Sequence, residues 1–249
     1  MLLFYVRHGD PIYDPDMLTP LGERQAESVA RRLALFGIDE IYSSTSVRAM
    51  QTARPLCEIL KKELKTLDFL NEKYATGTEI DYNGKKKWVW SHPVYSEVIT
   101  RKDVRDMGSE WYNHPELREF HFERCIGPIG EQIDEFIASL GYVHDVDKGL
   151  YKVTERNHEK RIAVFAHEGM GKIFMSHLLD VPYPCYAAHF EMKHTAMSVV
   201  RFDDGATGSG CHAPREYARA RLLTLSNDSH LYRDGLPLDY HSAQMVDRF

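Results

Sequence analysis

The chain has 249 residues, 43% hydrophobic and 27% charged, long enough to bury one large core or at most two small domains. A net charge of −6 argues against nucleic acid or an anionic membrane as the main partner, although a local basic cluster can still hold a small anion. Cys57, Cys125, Cys185 and Cys211 stand far apart with no CxxC pair, which reads as reduced packing thiols and not as a zinc site or disulfide framework.

Leu2-Leu3-Phe4-Tyr5-Val6 is too short for a useful helix and too aromatic and branched for a loop, so it reads as a buried strand. Arg7, His8 and Gly9 follow at once, placing reactive groups at a sheet's carboxyl edge, where open α/β sheets bind ligands. Arg7, His8 and Asp10 break the apolar start far short of a signal-peptide core or membrane span, which points to the cytoplasm. Asp10 to Met17 is a turn-rich loop. Thr19 then caps a helix with Pro20 in its first position, apolar residues recur from Ala26 to Phe36, and Gly37 can end it in a left-handed conformation.

Ile38 to Tyr42 is a short strand closing on Ser43-Ser44-Thr45-Ser46. The next helix places Ala49, Ala53 and Leu56 on one face, and Pro55 inside it should kink it or split off its first turn. Arg48 falls on that first turn, where a cation opposes the helix dipole, and an anion bound at the helix start would favour both. From Lys65 to about Asn157 the periodicity weakens, apart from a helix over Ile129 to Leu140 ended by Gly141. The segment reads as an insertion over one face, either a lid or a plain surface excursion.

Ile162 to Ala166 repeats the opening device, a buried strand followed by His167, Glu168 and Gly169, then a helix. Thr195 to Phe202 alternates as a strand, Asp203 to Pro214 is Gly-rich, and Ala220 to Leu225 is a last strand candidate. Alternating strands and helices predict an α/β sandwich with a largely parallel sheet. Arg7, His8, Arg48, His167 and Glu168 all fall at strand ends or helix starts. Such a gathering of cations and imidazoles calls for an anion, and guanidinium forks match phosphate oxygens. An imidazole can also act as a nucleophile.

Arg7-His8-Gly9 after an apolar strand, Thr19 to Ala26, Ser43 to Ala53 and Ala166-His167-Glu168-Gly169 resemble the motifs of the histidine phosphatase superfamily, which includes the cofactor-dependent phosphoglycerate mutases. The match is specific over about the first fifty residues, good around 162–180 and weak between. Thr45 stands where the family usually has proline, and Glu168 where it has glycine or aspartate.

The resemblance implies a phosphoglycerate mutase-like three-layer α/β sandwich with a mostly parallel sheet, one domain over 1–249 with an insertion at about 73–157. It implies that His8 is the phosphorylated nucleophile and that Arg7, Arg48 and His167 hold the phosphoryl oxygens. Glu72, in a segment similar to the mutases' acid glutamate, is the first choice of general acid, and Glu168 the second. Asp10, which fits a hydrogen bond near the phosphate loop or a turn role before Pro11, and Thr195, bordering the pocket, are further candidates. No cofactor and no metal is expected, because the guanidiniums and His167 supply the positive charge a metal supplies elsewhere.

The expected activity is hydrolysis of a small phosphate monoester, with mutase-type phosphoryl transfer or a non-catalytic phosphate- or phosphoprotein-binding module as alternatives. Lys85 to Lys87 read as a solvated charge run more readily than as a second anion site. Trp88, Trp90 and Trp111 read as insertion core or as an apolar pocket wall. His92, His114 and His121 lack metal-ligand spacing.

Overall fold

The opening apolar run forms β1 (Leu2–Arg7), and its period-two alternation builds a core on each side of the sheet. Leu3 and Tyr5 enter one core with Ile162 and Val164, whereas Phe4 and Val6 enter the other with Ala163 and Phe165. The computed structural model describes residues 1–75, 79–82, 85–88, 92–157, 159–203 and 216–238, with the backbone path alone at 79–82 and 85–88. Trp90, Cys211 and the whole Gly-rich stretch after Asp203 lie outside the described residues, as do the side chains of Lys85 to Trp88.

After β1 the chain makes a small ribbon, β2 (Pro11–Ile12) with β3 (Met17–Leu18), then α1 (Pro20–Ala34). The Thr19 side chain accepts a hydrogen bond from Gly22 N, and Gly37 takes φ +65° just beyond the helix, as the turn requires. β4 (Glu40–Ser44), α2 (Val47–Leu60), β5 (Leu64–Leu67) and the single-turn α3 (Glu72–Ala75) follow. Pro55 leaves α2 unbroken, contrary to a split-off first turn. A buried face of Ala49, Thr52, Ala53 and Leu56 holds the helix together across the missing N–H.

β6 (Glu79–Tyr82) and β7 (Lys85–Trp88) pair as a separate ribbon. α4 (Pro93–Val98), α5 (Lys102–Arg105), α6 (Ile126–Ser139) and the hairpin of β8 (Tyr142–Asp145) and β9 (Leu150–Val153) complete the weakly patterned region. The rest is β10 (Arg161–Ala166), α7 (Glu168–Leu178), α8 (Tyr183–Ala187), β11 (Met197–Asp203), β12 (Tyr217–Asn227) and α9 (Ser229–Arg233).

The main sheet has eight strands in the order β5-β4-β10-β1-β11-β12-β9-β8. β5, β4, β10 and β1 run parallel, and the pairings beyond β1 are antiparallel. Helices cover both faces, α1, α2 and α9 on one and α6, α7 and α8 on the other, giving three layers.

The region expected to be an insertion is, in its described part, built into the body. Trp111 is 1% exposed and stacks on Tyr183 at 5.3 Å, with Phe122 at 4.8 Å from it, so it packs a core. β9 joins β12 and extends the sheet.

The start of α1 is pressed against the chain that leaves β1. A Cβ at Gly22 would lie 2.2 Å from the Asp10 carbonyl oxygen, and one at Gly9 would lie 2.7 Å from the Gly22 carbonyl oxygen. Backbone meets backbone there, so no rotamer change can relieve the clash. Gly22→Ala is therefore expected to lower the unfolding free energy by about 1–3 kcal/mol, read by denaturant titration. An unchanged midpoint would mean that α1 can shift freely against this loop.

Candidate active site

Sheet register brings the two histidines together. β1 pairs with β10 so that Arg7 lies opposite Ala166, and the next residues, His8 and His167, emerge side by side with ring centroids 5.2 Å apart. His8 N donates to Ala166 O at 2.9 Å, fixing the junction. β4 pairs with β10 one strand over, placing Ser43 opposite Phe165, so the following Ser44 Oγ reaches His167 Nε2 at 2.9 Å. Parallel strands ending at one level thus assemble the site at the carboxyl edge.

His8 is 2% exposed and its Nδ1 lies 2.7 Å from Gly9 O. A carbonyl can only accept, so Nδ1 carries the proton and Nε2 keeps its lone pair. Burial, followed by His167 and Arg7, holds the imidazole well below its ordinary pKa, so it is neutral near pH 7. Gly9 is in turn anchored through its N–H to Thr52 Oγ1 at 3.0 Å, and the Thr52 hydroxyl donates to Arg48 O at 2.7 Å.

Thr52 lies inside the second motif, where a hydroxyl on an apolar helix face carries no local signal of a role at the site. Thr52→Val keeps the shape and strips the acceptor from a buried N–H. It is expected to cost about 1–3 kcal/mol of stability in a thermal or denaturant melt. A change below a few tenths would show that Gly9 N–H finds another acceptor.

His167 is fully buried and is likewise held well below its ordinary pKa, by burial first and then by Arg48 and Arg7. Arg48 Nη2, a donor, lies 3.0 Å from its Nδ1, so Nδ1 accepts and Nε2–H faces Ser44 and Ser46, the latter at 3.3 Å. The Tyr5 hydroxyl donates to the His167 carbonyl at 2.9 Å and pins the backbone.

Both guanidiniums meet internal carboxylates. Arg7 Nη1 lies 2.7 Å from Glu168 Oε2 and donates to Met192 O at 2.6 Å, and Lys172 approaches the other Glu168 oxygen at 3.2 Å. Arg48 Nη1 lies 2.8 Å from Asp16 Oδ1, while Asp16 Oδ2 accepts from Val47 N at 2.8 Å. An internal carboxylate, Asp16, thus sits at the start of α2, and no spacing in the sequence announced it. The Arg48 guanidinium also lies 5.4 Å from the Tyr13 ring centre.

Glu72, first residue of α3, reaches this centre from another loop. One of its oxygens lies 3.3 Å from His167 Nδ1 and the other accepts from Met170 N at 3.2 Å. Burial raises its carboxyl to about 7, against the pull of Arg48 and Arg7. It therefore divides between acid and carboxylate near neutrality, which suits proton transfer in both directions.

Asp10 sits behind His8. Its N–H donates to the buried Gln25 at 2.8 Å, its carboxylate accepts from Thr19 Oγ1 at 2.6 Å, and His194 Nδ1 is 3.8 Å away. The His194 ring lies 5.7 Å from that of His8. Thr195, fully buried with φ +54°, donates its N–H to Arg7 O at 3.0 Å, and its hydroxyl meets His230 Nε2 at 3.1 Å. It braces the backbone of β1's end. His8, Arg7, Arg48, His167, Glu72 and Glu168 therefore share one centre, with Asp10 and Thr195 supporting its backbone.

Donor atoms of His8, Glu72 and His167 lie within 4.8 Å of one another, a spacing a metal ion could use. Arg7 and Arg48 beside them oppose a cation and favour an anion instead. The Nε–H of each guanidinium is buried without an acceptor among the described residues, a cost that oxygens of a bound anion would relieve. No helix among the described residues is long and apolar enough to cross a membrane.

A sequence profile described as the histidine phosphatase superfamily (branch 1) matches residues 3–92 and 97–209. Curated protein sequences yield no match. Among solved structures, a phosphoserine phosphatase variant from Entamoeba histolytica in complex with phosphoserine is similar at 18% identity and a TM-score of 0.57, covering 92% of this chain and 98% of that one. A mycobacterial glucosyl-3-phosphoglycerate phosphatase with VO3 is similar at 17% identity and a TM-score of 0.57, covering 91% of this chain and 99% of that one. At such identities the likeness shows a common fold.

Proposed function

The chain belongs to the histidine phosphatase superfamily, and on that premise we propose that it hydrolyses a small phosphate monoester, without a metal ion, through a phosphohistidine on His8. The observation that carries this reading is a neutral imidazole whose Nδ1–H is tied to Gly9 O, set between two guanidiniums and beside a carboxyl poised at about 7. His8 Nε2 attacks phosphorus while the bond to the leaving oxygen breaks and protonated Glu72 gives that oxygen its proton. Water then attacks the phosphohistidine, the Glu72 carboxylate takes the water's proton, and phosphate leaves with His8 restored.

Arg7 and Arg48 hold the phosphoryl oxygens and offset the charge that builds on them. His167 joins them by exchanging a serine hydroxyl on its Nε2–H for a phosphoryl oxygen. Glu168 and Asp16 orient the guanidiniums. The two structurally similar phosphatases, named for phosphoserine and for glucosyl-3-phosphoglycerate, support a small phosphorylated metabolite as substrate class.

The test is rapid quenching of the enzyme with a phosphate-labelled aryl ester in the presence of a chelator. Acid-labile, base-stable label located on His8 by mass spectrometry is the expected result. Turnover without any such label would mean that water attacks the ester directly and that His8 has another role.

A further inference from the structure

Away from the phosphate site, three elements bring a second set of titratable side chains together. α6 supplies Asp134, β8 supplies His144 and the last turn of α7 supplies His177, with Asp180 two residues past the end of that helix. His144 Nδ1 and His177 Nε2 each lie 2.9 Å from the same Asp134 oxygen, Oδ1. We propose that Asp134, His144 and His177 form a binding site for a divalent transition metal, Zn²⁺ foremost, that ties α6, β8 and the end of α7 together.

Four observations carry this. The donor atoms of the three residues all lie within 4.8 Å of one another, a spread that includes the spacing of about 3.4 Å set by tetrahedral bonds near 2.1 Å. The far nitrogen of His144, Nε2, lies 3.2 Å from Asp180 Oδ1. Both His144 nitrogens face carboxylates, Nδ1 that of Asp134 and Nε2 that of Asp180, so each carries a proton; a metal bound at Nδ1 releases that proton while Asp180 keeps Nε2–H, as outer carboxylates do for metal-bound imidazoles.

The His144 ring is also held in place, with a side chain 2% exposed and stacked on Tyr151 at 4.5 Å and 9°. Finally, α6 makes room for the second ring. A Cβ at Gly130 would lie 2.9 Å from both Nδ1 and Cε1 of His177. Imidazole with carboxylate suits Zn²⁺ and its neighbours better than the oxygen-seeking Mg²⁺ or Ca²⁺. His177 and Asp134 are 27% and 31% exposed, so solvent can deliver the ion and supply a water as fourth ligand.

The site stands apart from the chemistry. His167 precedes α7 and His177 lies in its last turn, a separation of about 15 Å along the helix. The role that fits is structural, clamping the far end of the helix whose start holds the catalytic edge. The same two histidines and carboxylates could serve as a plain ion-pair cluster, and the experiment separates the two.

The probe is Co²⁺, titrated into the untagged, metal-stripped full chain and followed by its visible absorption, with Zn²⁺ then used to displace it. Expected are one equivalent bound with a tetrahedral spectrum, loss of that spectrum in His177→Ala and its retention in His8→Ala. Asp180→Ala, which removes no direct ligand, is expected to weaken binding by about 10–100-fold. Zn²⁺ should raise the melting temperature of wild type and not of His177→Ala. If the His177 variant is unfolded by circular dichroism, the Asp180 variant and the His8 control decide alone. Binding that survives His177→Ala but vanishes in His8→Ala would place the metal in the phosphate site and overturn the proposal. Absence of stoichiometric binding in wild type would overturn it too, leaving an ion-pair cluster.

Discussion

His8→Ala is expected to lower kcat/KM for an aryl phosphate by about 10⁴-fold or more and to abolish the acid-labile phosphoprotein. The side chain is 2% exposed, its Nδ1–H is spent on Gly9 O, and burial keeps the ring neutral, so Nε2 keeps the lone pair that the proposed attack uses. Without it, the guanidiniums can still bind the ester and polarise it, which leaves a small residue of catalysis. Phosphate binding should therefore survive in the variant, measured by calorimetry, while turnover does not. If turnover and labelling both persisted, the covalent route on His8 would be wrong.

Glu72→Gln carries the second large effect, a loss of about 10²–10⁴-fold in turnover of esters with poor leaving groups. In the proposed mechanism, free enzyme reacts through neutral His8 and protonated Glu72. Since burial lifts the Glu72 carboxyl to about 7, kcat/KM of wild type should be level just below that pH and fall tenfold per unit above it. The acidic limb should come from protonation of His8 and lie below the ordinary imidazole range. Glu72→Gln should erase the alkaline limb, whereas Glu168→Gln should keep it, because Glu168 is held by Arg7 and Lys172. An alkaline limb lost with Glu168 and kept without Glu72 would reverse the two assignments.

The same carboxyl affects stability with a definite sign. Its folded value, about 7, exceeds the ordinary 4.5, so the folded chain keeps a proton that the unfolded chain releases between those values. The stabilising contribution is whole below about 4.5 and is lost as pH rises through 7. Glu72→Gln escapes that loss. It should be more stable than wild type at pH 8 by roughly 3 kcal/mol, with the difference shrinking toward pH 5. A stabilised but inactive variant is the expected signature of a buried catalytic acid.

Periodicity over a few residues was enough to predict β1, β10 and the helices after them, and the apolar runs ending in His8 and His167 already marked the sheet edge. The family motifs pointed to Arg7, Arg48 and Glu72 as partners. Long-range pairing decided the rest. Whether a strand runs parallel or antiparallel depends on its neighbour, so the antiparallel half beyond β1 was not legible, and neither was the joining of β8 and β9 to the sheet. Asp16 reaches Arg48 from a turn 32 residues earlier, and His177 meets Asp134 across 43. Local sequence records the preferences of a strand or helix, because neighbouring side chains and backbone set them. Which carboxylate meets which cation is set by register and packing between distant segments, and a short pattern carries no trace of it.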